Sequence, residues 1–389
     1  MKGSAYIVGA FEHPTRLATD RSVAQLHADV ATGALADAGL TLGDVDGYFC
    51  AGDITGWSAA GVGPFSIVEY LGLRLRHLDT TESWGSSPIN HVSHAVDAVA
   101  AGKCRVALIT LAGRPRAAGA RPGNAGHGDT TEHPWEAPYR PTVVNMYGMV
   151  AMRHMFEHGT TAEQLASIKV AASHHAQHNP HAMLPKVVTV AEVLASPLIA
   201  DPLHRMDCCV ISDGGGALVV AHPEVARGLK RPLVTPVGAG YALRQLDGGY
   251  FDILRSGAVS SGAAAFAQAG VTPADIQYAS LYDSFTITVL LQLENLGFCA
   301  PGEGGRFVAD GGLVSGVGRL AVNTDGGGLC NNHPANRGGM PKVIEAVRQL
   351  RGEAHPAVQV PGCRLALAHG TGGQLGGRHG AATLILERE

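Results

Sequence analysis

A short apolar run at Ala5–Phe11 predicts a first strand. After a polar loop, apolar residues recur at spacings of three and four through Val23–Ala38, the pattern of an amphipathic helix. Gly39 and the polar residues after it stop that helix, and Gly47–Ala51 predicts the next strand. A stretch of small polar residues, Leu78–Pro88, leads into a second helix that reaches about Ala101, and the run Cys104–Ala112 reads as a strand directly behind it. From Gly113 to about Pro141 no period is sustained. Helical spacing returns over Val143–His158 and Ala162–His178, the chain turns irregular again as far as Asp207, and a strand is expected at Gly214–Val220. A connection this long inside a compact unit is usually functional, so residues from about 113 to 207 read as an excursion of loop and helix mounted on a core, covering a site or presenting a partner surface.

The second half repeats the first. Gly270-Val-Thr-Pro-Ala-Asp-Ile-Gln-Tyr-Ala-Ser-Leu-Tyr-Asp-Ser284 echoes Gly39-Leu-Thr-Leu-Gly-Asp-Val-Asp-Gly-Tyr-Phe-Cys-Ala-Gly-Asp53, and Cys363-Arg-Leu-Ala-Leu-Ala-His-Gly370 echoes Cys104-Arg-Val-Ala-Leu-Ile-Thr-Leu111. Two echoes in the same order imply a duplicated α/β unit, with halves at 1–230 and 231–389. Strands alternating with helices predict a mostly parallel or mixed sheet covered by helices, with a site at the carboxyl ends of the strands. Four loops are expected to converge there: those around Gly85 and Tyr282, the stretch His369-Gly-Thr-Gly-Gly373, and the glycine- and amide-rich loop Asn323-Thr-Asp-Gly-Gly-Gly-Leu-Cys-Asn-Asn-His333-Pro334.

Composition narrows the function classes. Hydrophobic residues make up 46% of the chain and charged ones 16%, so this is a globular chain with much surface to bury. A net charge of -4 without basic blocks argues against nucleic acid or an anionic membrane as a partner. No apolar run approaches the length of a membrane span, and the start and end of the chain match no targeting signal, from which a cytoplasmic protein is expected. Seven cysteines without regular spacing fit reduced thiols better than a disulfide framework or a structural zinc site, and no metal is expected. His174 and His178 have the i, i+4 spacing of metal ligands, but no acidic partner accompanies them and a solvated helix face explains them better. Nucleophile-elbow, phosphate-loop and metalloprotease motifs are absent from the sequence.

Gly85-Ser-Ser-Pro opening a helix, the box Tyr282-Asp-Ser-Phe285, the Gly-Gly-Gly to His333-Pro334 loop and His369-Gly-Thr-Gly-Gly373 together resemble the thiolase superfamily, specifically its sterol-carrier-protein-type branch, over nearly the whole length. The resemblance implies a thiolase-like fold, and its departures imply an altered reaction. Gly85 stands where thiolases carry the nucleophilic cysteine, Tyr282 where they carry the asparagine of their asparagine-glutamate-alanine-phenylalanine box, and His369 at the position of their acid-base cysteine. Only His333 keeps its type. Glycine cannot form an acyl-enzyme, so ping-pong acyl transfer is not expected.

This pattern resembles the thiolase-like aldolases that shorten steroid side chains, which implies retro-aldol cleavage of a β-hydroxyacyl-CoA into a ketone and a short acyl-CoA. By that resemblance Tyr282 takes the hydroxyl proton, His333 stabilises the thioester enolate, and His369 or Tyr282 protonates it. Backbone N–H groups near Gly85 and Ser86 or at Gly370 and Gly372 are expected to bind the substrate carbonyl. No cofactor is implied beyond the coenzyme A of the substrate. The resemblance also implies a homodimer and a partner with a DUF35 domain, an OB-fold module. Asp283 is expected to hold a loop amide. Cys330 is a minor alternative nucleophile, and an atypical acyltransferase or a non-catalytic acyl-CoA-binding subunit are the competing functions.

Overall fold

The computed structural model describes residues 1–51, 63–119, 133–139, 142–245, 251–334, 337–375 and 377–389. Gly52 and Asp53, which end the first echo, and residues 120–132 and 140–141 of the excursion lie outside them. Twelve strands are described: β1 Tyr6–Glu12, β2 Gly47–Phe49, β3 His77–Asp79, β4 Val106–Gly113, β5 Leu198–Ala200, β6 Leu203–His204, β7 Gly214–Ala221, β8 Val234–Arg244, β9 Tyr278–Leu281, β10 Ala321–Val322, β11 Leu365–Gln374 and β12 Gly377–Arg388. Ten of them form one hydrogen-bonded set in the order β10-β9-β11-β12-β8-β1-β7-β4-β2-β3.

That order contains the duplication. In the first half β2 pairs parallel with β3 and β4, β4 antiparallel with β7, and β7 antiparallel with β1. In the second half β9 pairs parallel with β10 and β11, β11 antiparallel with β12, and β12 antiparallel with β8. The halves meet through the single pair Ile7↔Val234 of β1 and β8. Both sequence echoes fall on equivalent strands, β2 with β9 and β4 with β11. Even the turns before β2 and β9 match, with Asp44 capping the Thr41 N–H and Asp275 the Thr272 N–H, both at 2.8 Å. Each half-sheet is mixed, not mostly parallel. In the second half the short connection from β11 to β12 forces antiparallel pairing, and in the first β7 returns antiparallel to β4 only after the whole excursion.

Side-chain alternation sorts the strands into layers. Ala5 and Ile7 of the β1 region face a central core, as do Ile109 of β4, Ala368 of β11 and Leu384 of β12. Tyr6, Val8 and Leu108 face an outer core with helix Val23–Ala38, and Leu281, Leu367 and Ile385 face the other outer core with helices Ala258–Ala269 and Thr286–Asn295. Two helices, Ser87–Ala100 and Gly339–Arg351, pack in the central layer against strands of both halves. Their N-termini lie together, because a Cβ on Gly339 would meet the Gly85 carbonyl oxygen at 2.2 Å.

Helices Val23–Ala38 and Val143–His158 have the predicted bounds, and the helix expected at Ala162–His178 ends at Ala176. The rest of the excursion is less irregular than its sequence implies, with helix Val190–Leu194 and the β5–β6 hairpin. His174 is exposed, but His175 is buried and turns inward, its Nδ1 3.2 Å from the Asn323 carbonyl and its Nε2 accepting from the Ser315 N–H at 3.0 Å. His178 stacks on His355, with ring centroids 4.9 Å apart. Among the described residues no group of three or more His, Cys, Asp or Glu is disposed to hold a metal, and no helix is long and apolar enough to cross a membrane.

Candidate active site

Tyr282 follows directly on β9, one position beyond Leu281, so strand alternation turns its ring toward the central layer. There its Oη lies 2.9 Å from His333 Nε2 and accepts from the Gly338 N–H at 3.3 Å. The rings meet edge to face with centroids 5.4 Å apart. Both residues are nearly buried, Tyr282 at 5% and His333 at 6% exposure. Two helix N-termini therefore face the phenol, one through Gly338 and one through Gly85, and their dipoles favour negative charge developing between them. The Arg337–Glu82 ion pair at 2.7 Å ties these two helix entrances together.

Gly85 explains why the nucleophile position is empty. A Cβ there would lie 2.3 Å from the Thr371 carbonyl oxygen and 2.4 Å from the Tyr282 Oη. The tyrosine hydroxyl thus occupies the space that a nucleophilic side chain at position 85 needs. Tyr282 and a side chain at 85 exclude each other. Gly85→Ala is accordingly expected to displace the phenol, lowering turnover at least tenfold and stability by about 1–3 kcal/mol, as overpacking does. Turnover and thermal midpoint together check this, and wild-type turnover in the variant would contradict the assigned geometry.

Burial pushes the His333 imidazole down to about 4, so the ring is neutral at neutral pH. Burial likewise raises the Tyr282 phenol well above its ordinary value. A free phenolate is therefore not populated at neutral pH, and Tyr282 can remove a proton only by passing its own to His333 Nε2 as it does so. The same nitrogen cannot at that instant donate to a thioester oxygen.

The loop carrying His333 is pinned by Asp283. Its carboxylate accepts from the Gly328 N–H at 2.8 Å and the Leu329 N–H at 3.1 Å, and pairs with Lys342 Nζ at 2.5 Å. Gly327, at φ +60, must be glycine, because a Cβ would lie 2.1 Å from Asp283 Oδ2. Asp283 is the loop-holding carboxylate that the sequence suggests. Cys330 is fully buried in the outer core, where burial raises its thiol.

His369 is placed differently from expectation. The stretch His369–Gly373 is not a strand-end loop but continues β11, paired with β12. Alternation along β11 sets His369 opposite Ala368, which faces the central layer, and its Nδ1 lies 2.8 Å from Thr383 Oγ1. No described side-chain hydrogen bond or ring contact joins its ring to Tyr282 or His333; its carbonyl accepts the Tyr282 N–H at 3.0 Å, and its buried Nε2 has no partner among the described residues. Gly370 and Gly372 sit on the central face, where Cβ atoms would meet Ile89, the Gly85 carbonyl oxygen and the Ser83 carbonyl oxygen at 2.0–3.1 Å, so they admit the helix entrance closely. Ser86 turns its hydroxyl back to the Ser83 carbonyl at 2.7 Å and is fully buried, which leaves backbone as the part of it that a substrate can meet.

Sequence reasoning missed Tyr147, Cys209 and Ser212. Tyr147, on helix Val143–His158, packs at a tilt against Phe285 with centroids 4.5 Å apart, and Ser284 and Thr371 lie beside its hydroxyl. Cys209 gives its N–H to the Ser284 carbonyl at 2.9 Å, and burial raises its thiol. Ser212 accepts the His333 N–H at 2.8 Å. Cys209 and Ser212 come from the aperiodic exit of the excursion, and Tyr147 from a helix whose spacing shows a buried face but not what that face meets. A cavity of about 230 Å³ lined by Glu12, Arg16, Asp325, Glu345 and Arg348 lies behind the His333 loop, and neither Tyr282 nor His333 lines it.

Comparison with known proteins agrees with this architecture. Residues 249–388 match the thiolase C-terminal domain-like family. The chain is 35% identical to a steroid side-chain-cleaving aldolase of Thermomonospora curvata, over 90% of this chain and 91% of that protein. It is 36% identical to a 17-hydroxy-3-oxo-4-pregnene-20-carboxyl-CoA lyase of Mycobacterium tuberculosis, over 90% and 92%. Over a shorter stretch, 62% of this chain and 63% of the relative, it is 39% identical to an acetyl-CoA acetyltransferase of Methanothermobacter thermautotrophicus. The solved structure of an Ltp2-ChsH2(DUF35) aldolase superposes with a TM-score of 0.87 at 33% identity, covering 99% of this chain and 98% of that one. Given the duplicated sheet, the converging helix entrances and this identity over nine-tenths of two relatives, the chain belongs to the thiolase superfamily, in the family of the steroid side-chain-cleaving aldolases.

Proposed function

We propose that the chain cleaves a carbon–carbon bond of a β-hydroxyacyl-CoA by retro-aldol chemistry, releasing a ketone and a short acyl-CoA. One observation carries this reading above acyl transfer: the Tyr282 hydroxyl fills the space that a nucleophile at position 85 would need. The substrate hydroxyl gives its proton to Tyr282 Oη while Tyr282 gives its own to His333 Nε2. The electrons of the breaking bond pass into the thioester enolate, the ketone departs, and the proton returns from the pair to the enolate carbon. The charged intermediate forms beside two helix N-termini and the imidazolium of His333, whose positive charges favour it. His369, the alternative proton source that the resemblance implies, turns its ring to the other face of β11 toward Thr383, so the returning proton is assigned to the pair.

The names of the relatives favour a steroid side-chain thioester with a tertiary hydroxyl as substrate. The solved aldolase favours a DUF35 protein as partner, and a homodimeric core is proposed with it. Exposed Trp135, Tyr139, Met149, Met152 and Phe156 on the excursion are apolar surface that such an assembly would cover. The test is product analysis on the chain co-expressed with a DUF35 partner, using a β-hydroxyacyl-CoA that bears a tertiary hydroxyl. Ketone and short acyl-CoA are expected in equal amounts, with no mass added to the protein. An acyl adduct in the intact mass spectrum would sink the proposal in favour of acyl transfer.

A further inference from the structure

The loop Asn323–Pro334 contains Gly326 and Gly327 in left-handed conformations, at φ +96 and +60, and such a loop does not by itself hold an imidazole at a fixed place. A chain of hydrogen bonds from other segments does. Glu12, at the end of β1, can only accept, and its Oε1 takes the Asn332 Nδ2–H at 2.9 Å. That fixes the amide, so Asn332 Oδ1 faces Ser212 and accepts its hydroxyl proton at 2.7 Å. With its one proton so placed, the Ser212 oxygen has lone pairs left for the backbone N–H of His333, at 2.8 Å, which fixes the main chain from which the ring projects. No member of the chain can reverse its direction without breaking a bond. All are buried: Glu12 at 9%, Ser212 at 0% and Asn332 at 1% exposure. Glu12 is itself held by Arg16 at 2.8 Å, by Arg348 at 3.3 Å and by the Asn331 amide at 3.1 Å.

We propose that Ser212, oriented by Asn332 and Glu12, is a positioning residue that sets the His333 ring against the Tyr282 hydroxyl. Ser212 touches neither substrate nor the reacting atoms; it acts through His333, and the inference rests on the proton-transfer role given to His333 above. Proton transfer across a 2.9 Å contact tolerates little error, and a misplacement of about 1 Å is enough to cost on the order of 100-fold in rate.

A double-mutant cycle on the full chain tests it, with kcat and KM for carbon–carbon cleavage as readouts. Ser212→Ala is expected to lower kcat by about 10- to 100-fold and leave KM within about twofold. In a His333→Ala background the same substitution is expected to cost nothing further, because the ring it positions is gone. Equal losses in the two backgrounds would overturn the positioning role and leave the proposed reaction standing. A His333→Ala chain that turned over at the wild-type rate would overturn the proposed reaction, and this inference with it. Should Ser212→Ala fail to fold, Ser212→Cys, nearly the same shape with a weaker donor and acceptor, carries the same cycle.

Discussion

Tyr282→Phe is expected to lower kcat for carbon–carbon cleavage by about 10³-fold, within the range seen when a positioned acid-base group is lost. The substitution removes one oxygen and keeps the ring, so the edge-to-face contact with His333, 5.4 Å between centroids, has no reason to change. What disappears is the only described group bonded to His333 Nε2, and with it the route for the substrate proton. Gly338 also loses the acceptor for its N–H, a buried donor left unsatisfied at about 1–3 kcal/mol. Stability should therefore fall slightly while turnover nearly vanishes. Cleavage rate and thermal midpoint, measured together, separate the two effects. Cleavage at the wild-type rate would remove Tyr282 from the mechanism.

Acidification from pH 7 to pH 5 is expected to cost this chain most of its stability. Burial holds six imidazoles far below their ordinary value: His27 and His369 at about 3, and His91, His175, His333 and His379 at about 4. In the unfolded chain these rings take up protons as pH drops through 6.5, whereas in the folded chain they stay neutral until about 4 or below. The unfolded state therefore binds more protons across this window, and stability falls as pH falls. At pH 5 the loss is about 2 kcal/mol per ring, or on the order of 10 kcal/mol for six, which rivals the whole stability of a typical domain. Glu345 works the other way. Burial, and then the neighbouring Asp325, raise it to about 7, so the folded chain takes up that proton first and recovers part of the loss. Burial raises Asp325 and Asp207 as well, in the same opposing direction. The net expectation is a urea midpoint that drops steeply between pH 6.5 and pH 5, followed by circular dichroism. A midpoint unchanged over that interval would mean that these rings are not buried as neutral groups.

The sequence by itself determined the α/β class and the duplication, and it singled out Tyr282 and His333, which the fold brings to 2.9 Å of each other. It could do so because these rest on local signals. The echoes at Gly39 and Gly270 encode the same helix stop, the same Thr–Asp turn and the same strand, and the Gly-Gly-Gly to His333-Pro334 loop is too costly in backbone entropy to be an ordinary turn. Asp283 was also legible, since a carboxylate next to a glycine loop has amides to bind.

Tertiary structure alone decided three things. His369 shares a strand end with the site, yet one step of alternation along β11 sends its ring to the other face. Ser212 and Cys209 come from an aperiodic stretch, so nothing local marks them as inward, and the spacing that predicts the helix of Tyr147 does not say what its buried face meets. The relation of Gly85 to Tyr282 joins residues nearly two hundred positions apart: glycine at 85 reads in sequence as a missing nucleophile, whereas in space it is room made for a phenol. Side-chain pattern fixes which elements form; only packing of one element against another decides which atoms compete for the same volume.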